Sequence, residues 1–81
     1  MPVVLRSGSY RFFFYSNEGI PPKGPHIHVR GCGGEAKISL EAPFAVLRNA
    51  GYSAKELEVL LRLVRQHCVI LREAYYDYFA Q

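Results

Sequence analysis

The stretch from His26 to Glu41, HIHVRGCGGEAKISLE, alternates apolar and polar residues on both sides of a glycine-rich centre. Alternation with a period of two marks a half-buried strand. Gly31-Cys32-Gly33-Gly34 supplies residues that accept the positive φ of a hairpin turn. Folding the segment on those four residues sets a register: Arg30 opposite Glu35, Val29 opposite Ala36, His28 opposite Lys37, Ile27 opposite Ile38, and His26 opposite Ser39. Ile27, Val29, Ala36, Ile38 and Leu40 then share one face. That face belongs to the core, because a slip of one residue would turn all of them to solvent. The same alternation sends His26, His28, Arg30, Lys37 and Ser39 to the opposite, polar face.

Upstream, Val3 to Arg6 and Tyr10 to Tyr15 are rich in β-branched and aromatic residues and predict a first hairpin, turning around Ser7-Gly8-Ser9. Phe12 and Phe14, with Val4 or Leu5, are expected in the core. Arg11, Phe13 and Tyr15 fall on the other face, which is too apolar to be fully solvated. Coverage by a helix or partner is one reading of that face. Stacking of exposed bases on its aromatics is the other. Pro21, Pro22 and Pro25 predict an extended surface loop ahead of His26, with Pro25 biasing Gly24 away from helix.

Downstream, Pro43 breaks the strand, and Phe44 to Ala50 is expected as a short helix ended by Gly51. One long helix should then run from Ser53 to about Tyr78. Ser53 and Glu56 have the spacing of a capping box, and Tyr52 with Leu57 that of a hydrophobic staple. Leu57, Leu60, Leu61, Val64, Cys68, Leu71, Tyr75 and Tyr78 recur on one helical face. Lys55, Glu58, Arg62, Arg65 and Arg72 form a solvent stripe, beside which Val59, Leu63 and Ile70 make a second apolar ridge. One sheet face cannot cover both ridges, so the short helix, a second protomer or another protein is expected to cover the second. The predicted architecture is an α+β single domain over residues 1–81: a mainly antiparallel sheet of about four strands, in two hairpins, packed against one long helix, plus a short helix.

Composition narrows the classes. With 49% hydrophobic residues the chain is not a disordered one. No apolar run reaches the roughly 18 residues of a membrane span, and no signal peptide is visible at Met-Pro-Val-Val-Leu-Arg. Two cysteines, Cys32 and Cys68, are too few for a disulfide scaffold. A reduced, cytoplasmic protein is expected. The net charge of +3 permits an anionic partner.

His26, His28, Arg30, Lys37 and Ser39, with Lys23 close in sequence, are hydrogen-bond donors suited to phosphate. Amides of the glycine-rich turn would add to an anion-binding concavity. The plainer reading of the same list is a solvated basic strand face. A metal would need neutral imidazoles and a third ligand. Glu35 is the available carboxylate, but Arg30 competes for it and Lys37 faces His28, so no metal and no cofactor is expected. His67 reads as a boundary residue, and Cys32 near His28 as a turn cysteine rather than an activated thiolate.

The order YRFFFYSNEG, PHIHV, GEAKISLE, YSAKELEVLLRLVRQH and an aromatic end resembles a family of small prokaryotic proteins, the domain-of-unknown-function family four-one-six-zero. The resemblance covers nearly the whole chain, and Pro25-His26-Ile27-His28 after Asn17-Glu18 carries it most specifically. Lys23 and Gly24 stand where the family runs prolines directly into the histidine. The resemblance implies one half of a two-gene, toxin–antitoxin-like cassette with a neighbouring-gene protein as partner, and places any shared site at His26 and His28. The expected function is therefore a small binding module with a basic His-x-His strand face for an anionic ligand, nucleic acid or an acidic partner. A small hydrolase or nuclease using His26 and His28 as acid–base or metal residues is the alternative. A scaffold self-associating through Val59, Leu63 and Ile70 is the second alternative.

Overall fold

The structure, a computed structural model, describes residues 3–15 and 24–79. Lys23, Pro21 and Pro22 lie outside the described residues, as do Asn17 and Glu18. Five strands, β1 (Val3–Ser7), β2 (Tyr10–Phe13), β3 (His26–Gly31), β4 (Gly34–Ser39) and β5 (Val46–Ala50), are followed by helices α1 (Ala54–Gln66) and α2 (Cys68–Phe79). The sheet is an antiparallel meander in chain order.

The β3–β4 register is the one the alternation dictates, from His26↔Ser39 to Arg30↔Glu35, and it extends one pair further to Gly31↔Gly34. The loop is therefore two residues, Cys32 and Gly33, not four. Both take positive φ, 52° and 83°, as a two-residue hairpin that follows the strand twist requires. Gly31 and Gly34 serve close approach instead. A Cβ on Gly34 would lie 2.7 Å from the Tyr52 ring, and one on Gly31 would run into the backbone of Ser9.

Ile27, Val29, Ala36, Ile38 and Leu40 are buried with Phe12 and Phe14 on one sheet face. Leu60 and Val64 of α1 and Leu71 and Tyr75 of α2 close over them. Val4 and Leu5 both pack against this core, because β1 shifts register between Val3 and Leu5.

Two elements differ from expectation. Val46–Ala50 is a fifth strand, not a short helix. An isolated helix of that length is marginal, whereas pairing with β4 satisfies backbone groups that would otherwise form an open edge. The sheet thus has five strands rather than four. The long helix is two: Ser53 caps α1 with the expected box, its side chain accepting from the Glu56 N–H at 3.2 Å while the Ser53 N–H donates to Glu56 Oε1 at 2.9 Å. At the other end His67 leaves helical geometry (φ −114°, ψ 17°). Its ring Nδ1 donates to the Leu63 carbonyl at 2.9 Å, and its own N–H reaches the Leu63 and Val64 carbonyls at 3.1 and 3.2 Å. A side chain inserted into the helical hydrogen-bond ladder is a known cause of such a break. α2 resumes at once, with the Leu71 N–H donating to the His67 carbonyl at 2.9 Å, so the predicted apolar face continues across the break.

The second ridge is uneven. Val59, Val69 and Ile70 are exposed, while Leu63 packs partly against the core. Since Phe44–Ala50 is not a helix, it does not lie over the ridge as one. No helix among the described residues is long and apolar enough to cross a membrane.

Candidate ligand-binding sheet face

Period two fixes which residues share the outer face of the sheet, and the register fixes which stand side by side. One cross-strand row runs Arg6, Arg11, Arg30, Glu35 and Ala50. The next runs Val3, Phe13, His28, Lys37 and Arg48. Directly opposed residues have Cβ atoms about 4.5–5.5 Å apart, and like charges so placed destabilise a sheet. Arg6 faces Arg11, Arg11 faces Arg30, and Lys37 faces Arg48. In these two rows five cations meet one carboxylate, Glu35.

Glu35 is held in a small network. Arg30 Nη2 donates to Glu35 Oε1 at 3.0 Å and to Tyr15 Oη at 3.2 Å, and the Tyr15 hydroxyl donates to Glu35 Oε2 at 2.8 Å. The Tyr15 hydrogen bond first, then that of Arg30, holds the Glu35 carboxyl below the usual carboxylate range. The same bond, with burial, raises the Tyr15 phenol, and Glu35 keeps the Arg30 guanidinium charged. Arg30 also lies over the Phe13 ring, 5.9 Å from its centroid, a favourable cation–π distance.

His26 and His28 occupy the outer face as the alternation requires, but they are not solvated: their exposures are 3% and 7%. His28 sits between Phe13 and Tyr15, with ring centroids 5.8 and 4.5 Å away. His26 meets the His28 ring at 5.3 Å and Tyr75 at 6.0 Å, and its Nδ1 lies 3.4 Å from the Gly24 carbonyl. Phe13 is buried too. Phe13 is thus covered, but by Tyr15, His28 and Arg30 rather than by the helix or partner expected, while Arg11 is exposed. Phe13, Tyr15 and the histidines of β3 cover one another laterally, so imidazoles expected to meet an anion directly instead form a packed floor.

Among the other expected binding residues, Arg30 and Lys37 stand on the face, and Lys23 lies outside the described residues. Ser39 is engaged elsewhere. Its Oγ donates to the Glu41 carbonyl at 3.1 Å and accepts from the Glu41 N–H at 3.2 Å, shaping the turn after β4. Among the described residues no three or more His, Cys, Asp or Glu side chains gather where they could hold a metal ion, and Glu35 accepts one hydrogen bond each from Tyr15 and Arg30. Cys32 and Cys68 are free thiols, Cys32 exposed in the turn.

Arg48 is the residue that sequence reasoning missed, because it lay in the segment expected as a helix. Val46-Leu47-Arg48-Asn49-Ala50 carries no clear alternation, and it is pairing with β4 that sets Arg48 beside Lys37. Between β4 and β5 it helps line a cleft of about 290 Å³, with Tyr15, His28, Glu35, Lys37 and Ala50. A second hollow, about 200 Å³, lies among Val3, Arg6, Arg11, Phe13 and Arg30. Phosphate groups suit such surfaces: arginine offers a planar fork of donors, lysine a point charge.

The family model described as "Domain of unknown function (DUF4160)" matches residues 9–75, and the chain belongs to that family. No curated protein and no solved structure matches the chain.

Proposed function

We propose that this member of the DUF4160 family is a binding module whose outer sheet face takes a phosphate-bearing polymer, single-stranded nucleic acid. One observation carries the reading: three like-charge pairs, Arg6/Arg11, Arg11/Arg30 and Lys37/Arg48, stand directly opposed with Glu35 as the one carboxylate in their rows. An arrangement that costs the free protein stability is relieved when phosphates sit between the cations. The histidines serve this face as its packed floor rather than as direct ligands. The two-gene, toxin–antitoxin-like pairing suggested by the family resemblance belongs to the same proposal. The exposed Val59, Val69 and Ile70 of the helical side are left for a protein partner or a second copy.

Titration of a labelled single strand against the purified protein tests the reading. Binding should weaken steeply with salt, and Lys37→Ala and Arg48→Ala should each lower affinity. A strand that fails to bind at low salt, or binds wild type and a variant carrying both Lys37→Ala and Arg48→Ala equally well, would overturn it.

A further inference from the structure

The cleft between β4 and β5 combines features that point to a narrower ligand. Its volume, about 290 Å³, lies at the lower end of the roughly 300–1,000 Å³ usual for small-molecule sites, the scale of one nucleotide rather than a chain of them. Two cations, Lys37 and Arg48, stand side by side in its lining, and Tyr15 and His28 contribute rings. Glu35, two residues before Lys37 on the same strand, faces the same cleft. Residues so spaced lie about 6.6–6.8 Å apart along a strand, a separation that long side chains extend to span a base edge and its phosphate.

Glu35 sets the choice of base. An ionised carboxylate is acceptor-only, with about four lone-pair positions on its two oxygens. Arg30 fills one on Oε1 and the Tyr15 hydroxyl one on Oε2, which leaves one on each oxygen. A partner must therefore present two adjacent donors and no acceptor between them. Guanine does so through its ring N1–H and 2-amino group. Adenine and cytosine pair one amino donor with a ring nitrogen acceptor, and thymine and uracil flank one N–H with two carbonyls, so each would turn a lone pair toward the carboxylate.

We infer that the cleft is a guanine-nucleotide subsite: Glu35 accepts from the base edge, the Tyr15 ring walls the base above the His28 floor, and Lys37 with Arg48 hold its phosphate. The inference rests on the nucleic-acid reading of the sheet face and adds a base preference to it. Tyr15 and Arg30 act as positioning residues, fixing the carboxylate and keeping it ionised.

The test uses labelled oligothymidylates of about ten nucleotides, within the site sizes common for single-strand binders. A single central thymine is replaced by guanine, adenine, cytosine or hypoxanthine. A well-placed bidentate contact discriminates bases by about tenfold, so guanine should bind about tenfold tighter than thymine, adenine or cytosine. Hypoxanthine keeps N1–H but lacks the 2-amino group and should recover only part of the gain. Glu35→Gln should erase the preference, so that the guanine and thymine strands bind the variant alike. The hypoxanthine comparison requires no altered protein, so a misfolded variant cannot obscure the result. Competition with free guanosine monophosphate separates the sources. Displacement as effective as by the strand identifies the free nucleotide, and weaker displacement identifies the strand; both keep the site. Equal affinity for all five oligonucleotides overturns the subsite while leaving the sheet-face reading intact. No binding to any of them overturns both.

Discussion

Lys37 of β4 stands directly opposite Arg48 of β5, two cations on one rung of the ladder, with Glu35 one position along the same face opposite Ala50. Nothing in the backbone geometry demands this pairing; either residue could be threonine or glutamate. An uncompensated rung of this kind lowers the stability of the free sheet by a fraction of a kcal/mol.

The free protein should therefore be stabilised by anions at the sheet face. Arg48→Ala removes the opposed charge, so its melting temperature should equal or slightly exceed that of wild type. Its affinity for a single strand should fall several-fold. Differential scanning fluorimetry alongside anisotropy titration measures both, and a strongly destabilised Arg48→Ala would contradict the argument.

Salt dependence counts the phosphates engaged. If all five cations meet phosphates, the slope of log affinity against log salt should be about −3.5 for a single strand, or roughly a hundredfold loss between about 50 and 200 mM salt. Each alanine replacement among Arg6, Arg11, Arg30, Lys37 and Arg48 should reduce the slope by about 0.7. A slope near zero would mean that the cations do not neutralise phosphate.

Glu35 should couple folding to acid. Its carboxyl is held below the ordinary range by Tyr15 and Arg30, so the contribution to stability is present above the unfolded value, about 4.3. It is lost as pH falls through the lower folded value. Glu35→Gln should be less stable than wild type at neutral pH, and the gap should close toward about pH 3. Urea midpoints at the two pH values measure it; a gap that persists unchanged in acid would assign the loss to packing instead.

Tyr52 should ionise well above the ordinary phenol range. Burial pushes it up to about 12, while its Oη lies 2.8 and 3.0 Å from the Gly31 and Gly34 carbonyls that flank the hairpin turn. A raised phenol stabilises the fold below the ordinary value near 10, and that stability is lost as pH rises through the folded value. An alkaline absorbance titration should show a phenol step at about 12 that Tyr52→Phe removes. The variant should also cost about 1 kcal/mol, the net worth of a hydrogen bond to a partly buried carbonyl. Gly34→Ala, whose Cβ would meet the same ring at 2.7 Å, should cost about 1–3 kcal/mol through overpacking.

The β3–β4 hairpin and its register were legible in the sequence because alternation and turn position are local properties: a one-residue slip would carry Ile27 and Val29 off the buried face, and the glycine-rich turn fixes the rest. The Ser53–Glu56 cap was legible for the same reason, since its spacing is a property of one helical turn. Val46–Ala50 was not. Five residues carry too little periodicity to separate a strand from a helical turn, and the deciding term, the open edge of β4, lies several residues away in the chain. The break at His67 was also hidden, because only the folded backbone brings its ring against the Leu63 carbonyl. For the site, the sequence determined that His26, His28, Arg30 and Lys37 share a face. Tertiary structure decided what that means: Phe13 from β2, Tyr15 just after it and Tyr75 from α2 enclose the imidazoles, while Arg6, Arg11 and Arg48 arrive from β1, β2 and β5. A period of two tells a side chain which way to point, but its neighbours across the sheet are set by strands whose order only folding establishes.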